Sequence, residues 1–232
     1  MIGRRLLRRL LPPPLALAIR REWLVRRVAN ERGPLEGEIR LLPKFIRPTD
    51  VCWDIGANSG TYTVPLSRLA AQVFAFEPIP HSFGILEQVR TRARLRNVTI
   101  RREAIADVEG PGRMTIPTEG FYGGFYLAAL DDGGEVPVST ASIDGLIARG
   151  MPEPDFIKCD VEGAETRVLD GARSLIARRH PIWLLETFED HVVPLMISLG
   201  YAAYVHVGNG RLEPVQARTP QHRNYFFVPQ TK

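Results

Sequence analysis

The sequence predicts an α/β fold in which a doubly wound, mostly parallel sheet is covered by helices on both faces. Three observations carry the prediction. From residue 33 onward, short apolar runs of strand length alternate with stretches of helical spacing. The run Val51-Cys52-Trp53 leads into an acid, Asp54, and a tight turn, Gly56-Ala57-Asn58-Ser59-Gly60, before a helix start. The next run, Val73-Phe74-Ala75-Phe76, closes on a second acid, Glu77, so two neighbouring strands end in carboxylates, as at the carboxyl rim of a parallel sheet.

The elements follow in order. Residues 35–46 have helical spacing and precede the first strand, 51–55. Residues 61–70 are helical, with Pro65 delaying or bending the regular part. The second strand, 72–76, is broken by Pro78, and 81–95 form a helix with arginines on its outer face. The third strand is 98–101. Residues 113–116 and 136–138 read as short strands flanking a glycine- and aromatic-rich loop, 118–126. That loop suits either closure over an acceptor or a plain surface hairpin. Residues 142–148 form a short helix before the fourth strand, 156–159. Residues 164–177 read as one helix with Val168, Leu169, Ala172, Leu175 and Ile176 inward. The fifth strand, 182–185, ends at Glu186, and 190–199 is the next helix. Residues 201–207 and 225–228 form a closing antiparallel pair, giving seven strands.

A chain of 232 residues with 44% hydrophobic content suits one domain, 33–232, behind a short extension, 1–32. Nine arginines and two acids give residues 1–32 a charge of +7 against +4 for the whole chain, so the remainder carries −3. A basic nucleic-acid-binding body is thereby disfavoured. The extension is too short and too interrupted by Pro12-Pro13-Pro14 to span a bilayer, which needs about 20 apolar residues. It reads as a solvated, partly disordered leader, as a peripheral contact with an anionic membrane or partner helix, or as a cleaved signal. Cys52 and Cys159, the two cysteines, read as buried thiols of a reducing, cytoplasmic compartment, with the inner membrane surface as the site of any peripheral contact.

The turn also bears on the ligand. A dinucleotide site prefers Gly-x-Gly-x-x-Gly, but Asn58 stands at the second glycine. Asp54 would repel a diphosphate and attract an ammonium. An amino-acid-bearing nucleoside without phosphate, such as S-adenosylmethionine, fits better. Glu77 can then accept hydrogen bonds from two ribose hydroxyls.

A third acid-terminated run follows at Asp160-Val161-Glu162-Gly163-Ala164-Glu165. Together with Asp54-Ile55-Gly56-Ala57-Asn58-Ser59-Gly60-Thr61-Tyr62-Thr63 and Phe74-Ala75-Phe76-Glu77-Pro78, it makes residues 35–228 resemble the FkbM family of S-adenosylmethionine-dependent methyltransferases. The resemblance implies a Rossmann-like class I methyltransferase sheet and a hydroxyl-bearing acceptor, a glycan or natural product. It implies cofactor contacts at Asp54, Gly56, Ala57, Asn58, Gly60, Thr61, Tyr62, Glu77, Pro78, Ala104 and Asp160. A hydroxyl acceptor must lose its proton, and Asp160, Glu162 and Glu186 are the candidate bases. Glu162 and Glu165 also suit simple capping of the following helix. The same three candidate acids could instead hold a divalent metal, although no tight ligand motif is present. A cofactor-binding module without turnover is the alternative from another class.

Overall fold

The structure, a computed structural model, describes residues 13–31, 36–115, 129–130 and 134–230. The expected loop 118–126 and residues 1–12 lie outside them. In chain order the elements are α1 (Pro13–Ala29), a 3-10 segment (Gly37–Lys44), β1 (Val51–Ile55), α2 (Thr63–Leu69), β2 (Gln72–Phe76), α3 (Pro80–Ala93), β3 (Val98–Arg101), β4 (Glu103–Ile105), β5 (Gly110–Thr115), β6 (Ala129–Leu130), β7 (Val136–Ala141), α4 (Ile143–Ala148), β8 (Phe156–Cys159), α5 (Glu165–Asp170), α6 (Arg173–Arg179), β9 (Ile182–Glu186), α7 (Val192–Ser198), β10 (Tyr201–His206), β11 (Leu212–Val215) and β12 (Asn224–Pro229).

The main sheet runs β11-β10-β12-β9-β8-β1-β2-β3. Strands β3, β2, β1, β8 and β9 are parallel, and β12, β10 and β11 are antiparallel. The chain starts at the centre, moves outward to β3 and returns to β8, so the strand order reverses between β1 and β8. Ligands of open α/β sheets bind outside the carboxyl ends of the strands at such a reversal. The fold class is the one expected, with β11 as an eighth, edge strand. A second sheet, β4-β7-β5-β6, stands beside β3 and contributes Ala104 and Met114 to a small apolar cluster with Ile79.

Alternation along each strand builds two cores. Trp53, Ile55, Ile157, Cys159, Trp183 and Leu185 face one side and pack on α4 through α7. Cys52, Ala75, Phe156, Leu184 and Phe226 face the other and pack on the 3-10 segment, α2 and α3. Both cysteines are buried and free, as expected. The second face matters for the site. By the same alternation Asp54, Lys158, Glu186 and Asn224 lie on it at the carboxyl rim, with Asp54 opposite Lys158 and Glu186 opposite Asn224 in register.

Three local expectations change. Residues 35–46 hold a 3-10 segment containing Pro43 instead of an α-helix. The single helix expected over 164–177 is two, α5 and α6, broken at Gly171-Ala172. A Cβ on Gly171 would stand 2.1 Å from the Ala106 carbonyl oxygen, and the Asp144 carboxylate accepts from the backbone N–H of Ser174 and Leu175, which starts a new helix there. The leader is no solvated tail over its described part. Residues 13–29 form α1, which buries Leu24, Val25 and Ala29 against Val64, Ile85 and Val89. Arg21 donates to the Gly84 carbonyl at 2.9 Å, and Glu22 meets Arg92 at 3.2 Å, so α1 is tied to α3. Among the described residues no helix is long and apolar enough to cross a membrane.

Candidate functional site

The turn after β1 is built by backbone geometry. Gly56 has φ +77°, and a Cβ there would lie 1.8 Å from the Asp160 carbonyl oxygen, so the loops after β1 and β8 touch only because residue 56 is glycine. Gly56 and Ala57 donate to the Phe76 carbonyl at 3.0 and 2.9 Å, which pins the turn to β2. Asn58 is left-handed at φ +48°, a conformation asparagine tolerates.

Glu77 closes the turn. Its side chain is buried and accepts from Asn58 N–H and Ile79 N–H, both at 2.8 Å. Each carboxylate oxygen thus has one backbone donor and a spare lone pair. Burial pushes its pKa up to about 7 against those two hydrogen bonds, with Asp54 and Asp160 adding repulsion.

A groove opens beside this carboxylate. It is partly open to solvent, and its walls include Gly56, Asn58, Glu77, Pro78, Ala104, Asp160 and Glu162 from the expected set. Ile105 and Glu103, which the sequence places after the third strand beside Ala104, also line it, Glu103 in a pair with Arg101, and Ile79, Met114 and Val161 supply apolar wall that sequence reasoning had not assigned. Met114 reaches the groove through the second sheet, a pairing no local motif announces.

Other expected residues lie beneath or beside the groove. Asp54 is fully buried, accepts from the Thr63 hydroxyl at 2.5 Å and does not line the groove, so it braces the turn from below. Burial raises its pKa to about 6, opposed by Thr63 and Lys158. Ala57 and Gly60 shape the turn without lining the groove, and Thr61 is half-buried behind it. Tyr62 points elsewhere: its hydroxyl donates to Glu36 at 2.6 Å. Burial, with Glu36 next, raises its pKa. Glu165 caps its own loop by accepting from Gly163 N–H at 3.0 Å.

Glu186 stands one strand over, at the end of β9. Burial, then Asp160, raises its pKa to about 7, while Lys158 pulls the other way. Glu162, left-handed at φ +53°, is also raised, by burial first and Asp160 next. Lys158 is the residue sequence reasoning missed. Its ammonium is buried, lies 3.2 Å from Asn224 Oδ1 and sits 4.9 Å from the Tyr62 ring centre. The signal was a lone lysine inside the run Phe156-Ile157-Lys158-Cys159. Among the described residues no three His, Cys, Asp or Glu side chains are grouped to hold a metal ion. The rim as a whole is rich in carboxylates around one buried cation. It can attract a positively charged ligand, hold a diol at Glu77 and accept a proton.

Comparison with known proteins identifies the family. A family model described as the methyltransferase FkbM domain matches residues 54–202, from Asp54 past Glu186. The hexuronic acid methyltransferase AglP of Haloferax volcanii is 33% identical over 150 residues, covering 64% of this chain and 59% of that protein. The 31-O-demethyl-FK506 methyltransferase FkbM of Streptomyces tacrolimicus is 29% identical over 201 residues, 69% of this chain and 75% of that protein. Among solved structures, methyltransferase FkbM from Methylobacillus flagellatus superimposes with a TM-score of 0.53 at 17% identity, over 79% of this chain and 44% of that one. The putative methyltransferase SMU.1697c from Streptococcus mutans, in complex with SAH, gives 0.51 at 12% identity, over 85% and 98%. The chain thus spans about three-fifths of AglP and under half of the M. flagellatus protein. By the family match over most of its length, the chain belongs to the FkbM family of methyltransferases.

Proposed function

We propose that this protein is an S-adenosylmethionine-dependent O-methyltransferase acting on a hydroxyl of a sugar, glycan or natural-product acceptor. The observation that carries the reading is Glu77, fixed by two backbone donors at the end of β2 with lone pairs to spare, in a groove that Gly56 and Asn58 of the turn also line.

The residues fit that cofactor on two counts. The cradle at Gly56 admits no side chain, and Asn58 Oδ1 is a buried acceptor with no donor among the described residues. The acid-rich rim favours a sulfonium and an ammonium over a diphosphate. When bound, S-adenosylmethionine supplies a methyl carbon already activated by its sulfonium. Glu77 accepts from the ribose hydroxyls, and the apolar wall of Ile79, Ile105 and Met114 suits the adenine.

The acceptor oxygen must be lined up with the sulfur–carbon bond and lose its proton. Glu186, one strand over from the groove wall and in the field of Asp160 and Glu162 on that wall, is the base we favour, because burial holds its carboxylate at about 7, near the operating pH. Asp160 and Glu162, on the groove wall, would orient the acceptor. Asp54 and Lys158 act from below, Asp54 by bracing the turn through Thr63 and Lys158 by limiting the negative charge of the rim. The relatives named for a hexuronic acid and for 31-O-demethyl-FK506 support an oxygen acceptor on a sugar or natural product.

The test is transfer of labelled methyl to fractionated glycans, uronic acids and hydroxylated small molecules. Label should enter one fraction as an ether. Glu186→Gln should reduce kcat at least ~100-fold with little change in cofactor affinity. Cofactor binding with no transfer to any fraction would instead favour a module without turnover.

A further inference from the structure

The outward face of α1 has no role in the groove. Leu15, Ile19 and Trp23 are spaced four residues apart, so they form one stripe along the helix. Each is about half exposed, at 49, 51 and 50%. Leu17, on the opposite side of the helix, is 48% exposed as well. The body holds the helix only from Leu24 onward: among the side chains described over residues 15–20 none is buried. The first turns of α1 therefore present leucine and isoleucine to solvent while the last turns anchor it.

Cations surround this stripe. Arg20 and Arg26 are exposed on the helix, and Arg27 stacks its guanidinium over the Trp23 ring at 5.3 Å. The sequence leading into the helix adds Arg4, Arg5, Arg8 and Arg9, interleaved with Leu6, Leu7, Leu10 and Leu11. Glu22 is the one acid of α1, and it is paired with Arg26 and Arg92. An aromatic and aliphatic stripe flanked by arginines matches the boundary of an anionic bilayer, where apolar side chains enter the acyl region and guanidinium groups meet phosphate.

We propose that α1 is a peripheral docking helix for anionic lipid surfaces, inserting Leu15, Ile19 and Trp23 and holding the enzyme body at the membrane. A second copy of the chain would cover the apolar stripe but would bring its own arginines against these, which like-charge repulsion opposes. The proposal does not depend on the methyl-transfer reading.

The fold supplies a reporter for the test. Of the three tryptophans, Trp53 and Trp183 are fully buried, so a change in emission on adding vesicles comes from Trp23. Full-length protein should float with vesicles of phosphatidylglycerol and phosphatidylcholine at about 0.1 M salt and show a blue shift, and about 1 M salt should release it. Leu15→Glu and Ile19→Glu should each weaken flotation at least ~10-fold without changing the thermal midpoint. Trp23→Phe should keep flotation and lose the blue shift. Failure to float with anionic vesicles, equal flotation with pure phosphatidylcholine, or a dimer that Ile19→Glu dissociates would overturn the proposal.

Discussion

Gly56 is where one atom decides the site. It combines φ +77° with a Cβ position 1.8 Å from the Asp160 carbonyl oxygen, so neither the conformation nor the space accepts a side chain. Gly56→Ala should lower stability by about 3 kcal/mol in urea denaturation, by separating the loops after β1 and β8. A change under about 0.5 kcal/mol would mean that those loops do not touch. Sequence reasoning could find Gly56, Glu77 and Asp160 because each ends a strand-like run, and a parallel sheet brings such ends to one rim. How deep Asp54 sits beneath the turn was not legible, because burial depth is not written in a motif. Lys158 was legible only once β8 was known to lie between β1 and β9, which puts its ammonium on the face of Asp54 and Glu186.

At the scale of elements, strand positions were legible and helix boundaries less so. Strands β1, β2, β3 and β8 fell on the expected residues because buried parallel strands read as continuous apolar runs. The split between α5 and α6 was hidden because its cause lies far along the chain, at Ala106 and Asp144. The helix α1 was hidden for a related reason: its anchor is α3, and the arginine-rich sequence around Leu24 and Val25 masks the apolar side. Leu24→Ala should cost about 2–3 kcal/mol, read from the denaturation midpoint. No effect would return residues 13–29 to the status of a solvated leader.

For the molecule as a whole, the carboxylate rim sets a pH dependence. Glu77 and Glu186 are held at about 7 and Asp54 at about 6, while unfolded carboxylates titrate near ~4. Between about pH 4.5 and 7 the folded chain binds more protons than the unfolded one, so stability falls as pH rises through that window. His81, held below its usual value by burial, acts in the opposite direction but is one group against five raised carboxylates, Glu162 and Glu165 included. The ligand-free protein should lose at least about 2 kcal/mol, roughly 5 °C in melting temperature, between pH 5 and pH 8. Glu186→Gln should flatten that slope, and a melting temperature that rises across the window would show the rim is not buried as described. The same acids make the rim costly to hold without a cation. In the proposed function Glu77 and its neighbours grip a cationic nucleoside. Calorimetric titration of S-adenosylmethionine into wild-type protein and into Glu77→Ala, with folding verified by melting, tests it most directly. The wild type should bind one equivalent and the variant at least ~30-fold more weakly; equal affinity in a folded variant would contradict it.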